Sequence, residues 1–373
     1  MKKIVFIIFS YTMGGGAEAL LTSIVNNLNP NKYDVSIVEV MHDDIKVENT
    51  NENIHILPYI MTEYDERPRW QMHDLYYNPK NVFDKYVGDD FDLYVSFNYQ
   101  LPSFLLQENK RNIAWIHGNI YDLGGEDQGR YLNLQKKALE KANSIVAISN
   151  ITARSICELI PDVKEKVQVI GNGLDINKVQ LKSLEMCDTI LLHPCVIYVG
   201  RLETFKKPDR LYEVIRDIIV DGDTVHLYYL GFGELEESIR EKVINDNMEE
   251  FVHFLGYKNN PFPYIKQADV FCSLCECEGY GMALAESMAL GVPVVSTVGG
   301  ATDILIENEF CGKVVVTNEE AKNAIKHYIN FDDRADIKVA CLKSVSKIAL
   351  DKYINKIEDL FDRLLDEGDI CNE

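Results

Sequence analysis

Long apolar runs are missing from this 373-residue sequence. None approaches the roughly 20 residues a bilayer-spanning helix requires, so no transmembrane segment is expected. Positive charge is also scarce: 38 Lys and Arg stand against 59 Asp and Glu, a formal net charge of -21. A nucleic-acid partner needs a concentrated basic surface, and this balance argues against one. Repeats and low-complexity tracts are absent. The nine cysteines are odd in number and irregularly spaced, which fits reduced thiols better than a disulfide framework. Lys2-Lys3, the apolar run Ile4–Phe9 and Ala17-Glu18-Ala19 imitate an export signal. The run is short for one, and Ser10, Tyr11 and Thr12 interrupt it before a helical pattern begins. The expected location is therefore the cytoplasm.

A hydrophobic content of 46% with 10% aromatics is enough for packed cores, and the length suits two domains. Residues 1–180 carry 18 Lys and Arg against 24 Asp and Glu, and the remainder carries 20 against 35. An anionic partner should prefer the less acidic first half. Strand and helix patterns alternate almost throughout. Ile4–Ser10 reads as a buried strand; Ala17, Leu20, Leu21, Ile24, Val25 and Leu28 then form one stripe of a helix. Strand candidates follow at 34–40, 92–97, 112–116, 144–148 and 167–170. The polar stretch Asp175–His193 breaks the rhythm and reads as a linker. A second series of strands covers 195–200, 225–231, 251–255, 269–274 and 292–296, with helices between. The alternation predicts parallel sheets covered by helices on both faces, with ligands beyond the strands' carboxyl ends. Residues 42–90 are polar and irregular and read as loops and short helices.

Three segments carry chemistry. Gly14-Gly15-Gly16 follows the first strand and opens the first helix, where glycine admits a phosphate and the helix start offers free N–H groups. With Ala19 and Glu39 the same residues imitate a dinucleotide fingerprint, but Tyr11-Thr12-Met13 intervene between strand and glycines. Arg201 lies just beyond a strand end in Gly200-Arg201-Leu202, with Lys206 five residues on. Two such cations suit a pyrophosphate on which charge develops as it leaves, although a solvated basic loop has the same look. In the third, Glu278-Gly-Tyr-Gly281-Met282-Ala283 leads into a helix that carries Glu286. Glu278 falls on the turn before that helix and Glu286 about a turn and a half inside it. Carboxylates accept paired hydroxyl hydrogen bonds, so each suits a sugar diol, and the amides of Gly281, Met282 and Ala283 face an anion between them.

Together these segments, with Gly291-Val-Pro-Val-Val and Val169-Ile-Gly-Asn172-Gly173-Leu-Asp175, resemble the family 4 glycosyltransferases nearly end to end. The resemblance implies an α/β fold of two doubly wound, Rossmann-like domains facing a central cleft (GT-B). The expected domains are an acceptor-side domain over 1–183 and a donor-binding domain over 190–350. A last helix, about 352–373, returns to the first. It implies retaining hexose transfer from a nucleotide sugar, a UDP-sugar above all, with no metal and no cofactor. Carried over by position, Arg201 and Lys206 hold the diphosphate, Glu278 the donor sugar and Glu286 the ribose. Gly15 and Gly16 meet the β-phosphate, and His117, in Trp115-Ile-His117-Gly118, contacts the reacting sugar. The implied acceptor is a carbohydrate or lipid-linked glycan of bacterial surface polysaccharide. That brings a peripheral contact with the inner membrane face, for which Lys136, Lys137 and Lys141 are the candidates. One departure stands out: the family's Gly-Gly-x-x-Glu reads Gly299-Gly300-Ala-Thr-Asp303 here.

Other readings compete. An inactive partner subunit would share the fold but need not keep the four charged residues, and a nucleotide-sugar epimerase would need no acceptor. Asp221-Gly-Asp223 and Asp90-Phe-Asp92 imitate a metal-binding D-x-D but precede strands, which is turn chemistry. Cys272, Cys275 and Cys277 cluster without the paired knuckles zinc requires.

Overall fold

The computed structural model describes residues 1–13, 15–43, 50–62, 68–98, 100–122, 128–276, 278–331 and 333–366. Gly14 and Cys277 lie outside the described residues. The chain divides into two compact units, Met1–Gly173 with Asp351 onward, and Leu174–Leu350. The division falls ahead of residue 183 because Leu174 joins the later chain. Its N–H donates to Ile348 O at 2.8 Å, and its carbonyl accepts from Leu350 N at 3.0 Å.

In the first unit the strands are β1 (Lys2–Ile8), β2 (Tyr33–Glu39), β3 (Met41–His42), β4 (His55–Ile56), β5 (Met61–Thr62), β6 (Leu93–Ser96), β7 (Asn112–Ile116), β8 (Ser144–Ala147) and β9 (Val167–Val169). Seven of them form one sheet in the order β4-β2-β1-β6-β7-β8-β9, with β3 and β5 paired apart. All the pairings are parallel. Ile4 to Ile8 are fully buried because β1 has a neighbour on each edge and helices over its faces. The expected stripe of the first helix, Gly16–Asn27, holds: Leu20, Leu21, Ile24 and Val25 are buried.

The second unit contains β10 (Cys195–Val199), β11 (His226–Leu230), β12 (Val252–Gly256), β13 (Val270–Ser273), β14 (Val294–Ser296) and β15 (Gly312–Val314). Their order, β12-β11-β10-β13-β14-β15, is that of a doubly wound nucleotide-binding sheet, again wholly parallel. Each unit is thus a doubly wound α/β domain. The expected linker is not irregular throughout: it opens with a helix, Ile176–Lys182, whose first turn Asp175 caps by accepting from Lys178 N at 2.9 Å. Val179 alone is buried there, too little apolar periodicity to read in advance. The short strand β15 and the helix Arg334–Val345 were likewise unmarked by pattern.

The last helix, Leu350–Asp366, packs within the first unit. Phe361 is fully buried with its ring 6.1 Å from Phe6 and 5.8 Å from Tyr33, and the Tyr33 hydroxyl donates to Asp362 at 2.6 Å. Removing that ring leaves a cavity in the sheet's cover. Phe361→Ala should cost about 3–5 kcal/mol, read as a lower urea midpoint for first-unit probes. An unchanged midpoint would show that the helix does not complete this core.

Candidate functional site

In parallel sheets the loops at the strands' carboxyl ends gather on one edge, and in the second unit those after β10, β13 and β14 meet there. The chain leaves β13 at Ser273 and enters the helix Met282–Ala289 through Gly281, whose φ of 84° lies in the left-handed region. A side chain there would be strained, and its Cβ would stand 3.3 Å from Glu278 Cγ. The amides of Leu284 and Ala285 already bond back to the Gly281 carbonyl. Those of Met282 and Ala283 are left at the helix start without an intrahelical acceptor. Gly300, with φ of 53°, closes the far side: a Cβ would lie 2.3 Å from the Tyr280 carbonyl oxygen. The helix that follows, Thr302–Leu305, carries Asp303 in its first turn.

A cavity of about 170 Å³ opens at this point, lined by Gly200, Lys206, Glu278, Gly281, Met282 and Ala283 among others. Lys206 arrives from the turn after β10, and its Nζ lies 3.0 Å from both carboxylate oxygens of Glu278. Both side chains are about one-fifth exposed, so solvent screens the pair only in part. The Cys275 thiol donates to the same carboxylate at 3.4 Å, and burial pushes that thiol up to about 11. The structure thus brings together five of the expected residues, Lys206, Glu278, Gly281, Met282 and Ala283.

Arg201 and Glu286 stand differently. Arg201 is 66% exposed and pairs with Glu203 at 2.7 Å, although its guanidinium and the Lys206 ammonium both lie 5.5 Å from the Phe205 ring. The Tyr198 hydroxyl donates to the Arg201 carbonyl at 2.8 Å and so fixes the backbone of that loop. Glu286 sits inside the helix, partly open at its surface, and burial raises its carboxyl from the ordinary 4.5 to about 7. Tyr280 was not singled out from the sequence. It lines the cavity, and its hydroxyl is buried with no hydrogen-bond partner.

The remaining expected residues belong to the first unit. His117 follows β7, its ring 4.4 Å from Phe97 and stacked at 6.3 Å on Trp115. Its Nε2 is buried without a partner, and burial lowers its pKa to about 3. Gly15 caps the first helix in an extended conformation, and Gly16 begins it. Glu39 does not wait for a ribose: its carboxylate accepts from Ser10, Tyr11 and Thr12. Of the lysines considered for a membrane, Lys136 pairs with Asp162, and Lys141 donates to the Leu106 carbonyl at 2.8 Å. Lys137 and Lys141 line a hollow of about 680 Å³ with Tyr76 and Phe104. Lys141 lies just ahead of β8, so this larger hollow is remote in the sheet from the carboxyl ends.

The metal look-alikes are engaged elsewhere. Asp221 and Asp223 pair with Lys322 and Lys326 of the helix Asn318–Ile329, and Asp92 accepts from Lys3 N at 2.8 Å. Burial raises the Cys272 thiol, as expected of a core residue. Among the described residues one trio, His193, Cys195 and Asp269, brings its ligand atoms within 4.8 Å. Arg334 already pairs with that aspartate at 2.9 Å, and burial holds the Cys195 thiol up at about 12. The trio is a clasp on the entry to β10, not a ready cation site.

The perturbed groups yield two tests. Folding disfavours the charged form of Glu286, so the penalty is absent below pH 4.5 and complete above about pH 7. Glu286→Gln should therefore raise the melting temperature at pH 8 and leave it unchanged at pH 4; an equal effect at both would contradict the shift. His117 should show no imidazole titration by NMR between pH 5 and 9, because its pKa lies near 3. A midpoint near 6.5 would show that its ring is solvated.

Comparison with known proteins bears on the family and the fold. Residues 193–337 match the family model described as Glycosyl transferases group 1, and residues 14–178 match Glycosyltransferase Family 4. A Campylobacter jejuni protein is 24% identical over 339 residues, 84% of this chain and 87% of its own length. It is named N-acetylgalactosamine-N,N'-diacetylbacillosaminyl-diphospho-undecaprenol 4-alpha-N-acetylgalactosaminyltransferase. Among solved structures, sucrose-phosphate synthase from Thermosynechococcus elongatus superposes with a TM-score of 0.76 at 17% identity, covering 99% of this chain and all of the other. Anabaena HepE in complex with UDP gives a TM-score of 0.73 at 16% identity, covering 97% of this chain and all of that one. The chain is a glycosyltransferase and belongs to family 4 of these enzymes, with the GT-B type of fold.

Proposed function

We propose that this enzyme transfers a hexose from a UDP-sugar, with retention of configuration and without a metal, to a carbohydrate or lipid-linked glycan acceptor in surface polysaccharide or glycoconjugate assembly. The observation that carries the reading is the Lys206–Glu278 pair set against the helix start at Gly281. A diphosphate needs a cation and free amides, and a sugar needs a carboxylate for its hydroxyls; Lys206, Glu278 and the Gly281 helix start line one small cavity. The UDP bound to HepE and the diphospho-undecaprenol in the Campylobacter enzyme's name support the donor and acceptor classes.

Lys206, Arg201 and the amides of Gly281, Met282 and Ala283 take the diphosphate, which accumulates charge as the bond to the sugar C1 breaks. Binding exchanges one partner of Lys206 for another: the ammonium turns from Glu278 to phosphate, and Glu278 becomes free for sugar hydroxyls. Glu286 takes the ribose. For the first unit, the family resemblance supports a phosphate-binding role for the amides of Gly15 and Gly16 and a sugar-contacting role for the neutral His117 imidazole. The acceptor oxygen bonds to C1 on the face the diphosphate leaves. Its proton passes to the departing phosphate oxygen, so UDP is released and no protein base is consumed.

Lys206→Ala and Glu278→Ala should each lower sugar transfer at least 100-fold with the circular dichroism spectrum retained. Turnover within threefold of the parent in either would contradict these assignments. A screen of UDP-glucose, UDP-galactose and UDP-N-acetylglucosamine should release UDP only when acceptor is added. Conversion of the donor sugar without acceptor would make the enzyme an epimerase instead.

A further inference from the structure

The carboxylate of Glu39, at the carboxyl end of β2, is buried and accepts from several donors of the loop after β1. One oxygen accepts from Ser10 Oγ at 3.1 Å, Tyr11 N at 2.6 Å, Thr12 N at 2.9 Å and Thr12 Oγ1 at 2.7 Å. The other meets His42 Nδ1 at 2.7 Å, and the His42 ring stacks on Tyr59 at 4.5 Å. The loop after β1 is therefore wrapped around this carboxylate. Further ties extend the same clasp. Met13 N donates to Ser10 Oγ at 3.1 Å, Asp43 N to Thr12 Oγ1 at 2.8 Å, and the Tyr11 and Thr22 hydroxyls share a bond of 2.7 Å. Thr22 lies in the helix Gly16–Asn27, so the clasp reaches from β2 through the loop to the helix that Gly15 caps.

We propose that Glu39 is a positioning residue for sugar transfer: it sets the Ser10–Met13 loop and thereby the place at which Gly15 and Gly16 open the first helix. This rests on the phosphate role given to those glycines above. Two consequences follow from the hydrogen bonds. The Tyr11 and Thr12 amides turn inward to the carboxylate, so the loop's capacity for an outside anion is confined to the residues nearer the helix. Both oxygens of this buried carboxylate are engaged, one by the loop and the other by His42, which argues against Glu39 as the ribose-binding carboxylate of a dinucleotide site. An uncharged amide in its place keeps one oxygen for the four loop donors but lacks the negative charge that strengthens their bonds, and its NH2 group replaces the oxygen that meets His42, so the loop's anchor is weakened.

The test compares Glu39→Gln, Glu39→Asp and Thr12→Val with the parent, using transfer kinetics and hydrogen exchange at the Tyr11 and Thr12 amides. The loop acts on the phosphate through Gly15 and Gly16 and leaves Lys206, Glu278 and Glu286 untouched, so kcat should fall by a larger factor than donor KM rises. In Glu39→Gln, kcat should fall at least tenfold and loop exchange should rise at least tenfold. Glu39→Asp should recover part of both, and Thr12→Val should give an intermediate loss and replaces Glu39→Gln if that variant does not fold. Parental kcat with a loosened loop, or a kcat loss without faster exchange, overturns the positioning role. A parent that transfers no sugar instead overturns the functional reading on which it rests.

Discussion

Every strand pairing in both sheets is parallel, and most of the chemistry follows from that constraint. A parallel strand must be followed by a crossover, so the carboxyl ends release their loops on the same edge of a sheet, and most of these loops lead to a helix start. The residues that matter sit where this rule puts them. Lys206 follows β10, Glu278 and Gly281 follow β13, and Gly299 and Gly300 follow β14; Gly15 follows β1 and His117 follows β7. Helix starts contribute amides and positive potential on that edge, and glycine is required where the chain turns sharply into them, as at Gly281.

Charge on that edge is held in balance. Lys206 and Glu278 neutralise each other across a bidentate contact, Arg201 and Glu203 do the same nearer solvent, and Lys207 meets Glu276 at 3.1 Å. In the proposed reading an acidic chain binds a more acidic ligand because an incoming diphosphate would exchange partners with cations already in place. Burial works on the groups that have no such partner. Glu286 and His117 shift toward their neutral forms for the same reason, the cost of a charge away from water.

Much of this was legible in the sequence. Alternating strand and helix patterns pointed to parallel sheets covered by helices, and the segment from Glu278 to Glu286 stood out because glycines, carboxylates and a helix start fall close together; Glu278, Gly281, Met282 and Ala283 do line one cavity. What escaped depends on contacts remote in sequence. Asp221 and Asp223 read as turn chemistry because they precede a strand, but their partners Lys322 and Lys326 lie about a hundred residues later, beyond the reach of local pattern. Glu39 had the look of a ribose-binding carboxylate, yet its donors come from a loop nearly thirty residues earlier. The helix Ile176–Lys182 was hidden because one buried valine carries no periodicity, and only its aspartate cap marks it. Tyr280 carried no signal in the sequence, because its buried, unpartnered hydroxyl is a property of the fold.

The central claim is that a nucleoside diphosphate binds beside Lys206 at the Gly281 helix start without help from a metal. Calorimetric titration of UDP into the protein in buffer containing EDTA tests it directly. The account predicts one binding event per chain with an affinity that EDTA does not change and that Lys206→Ala weakens at least tenfold. No heat of binding, or binding that appears only when a divalent cation is supplied, would contradict it.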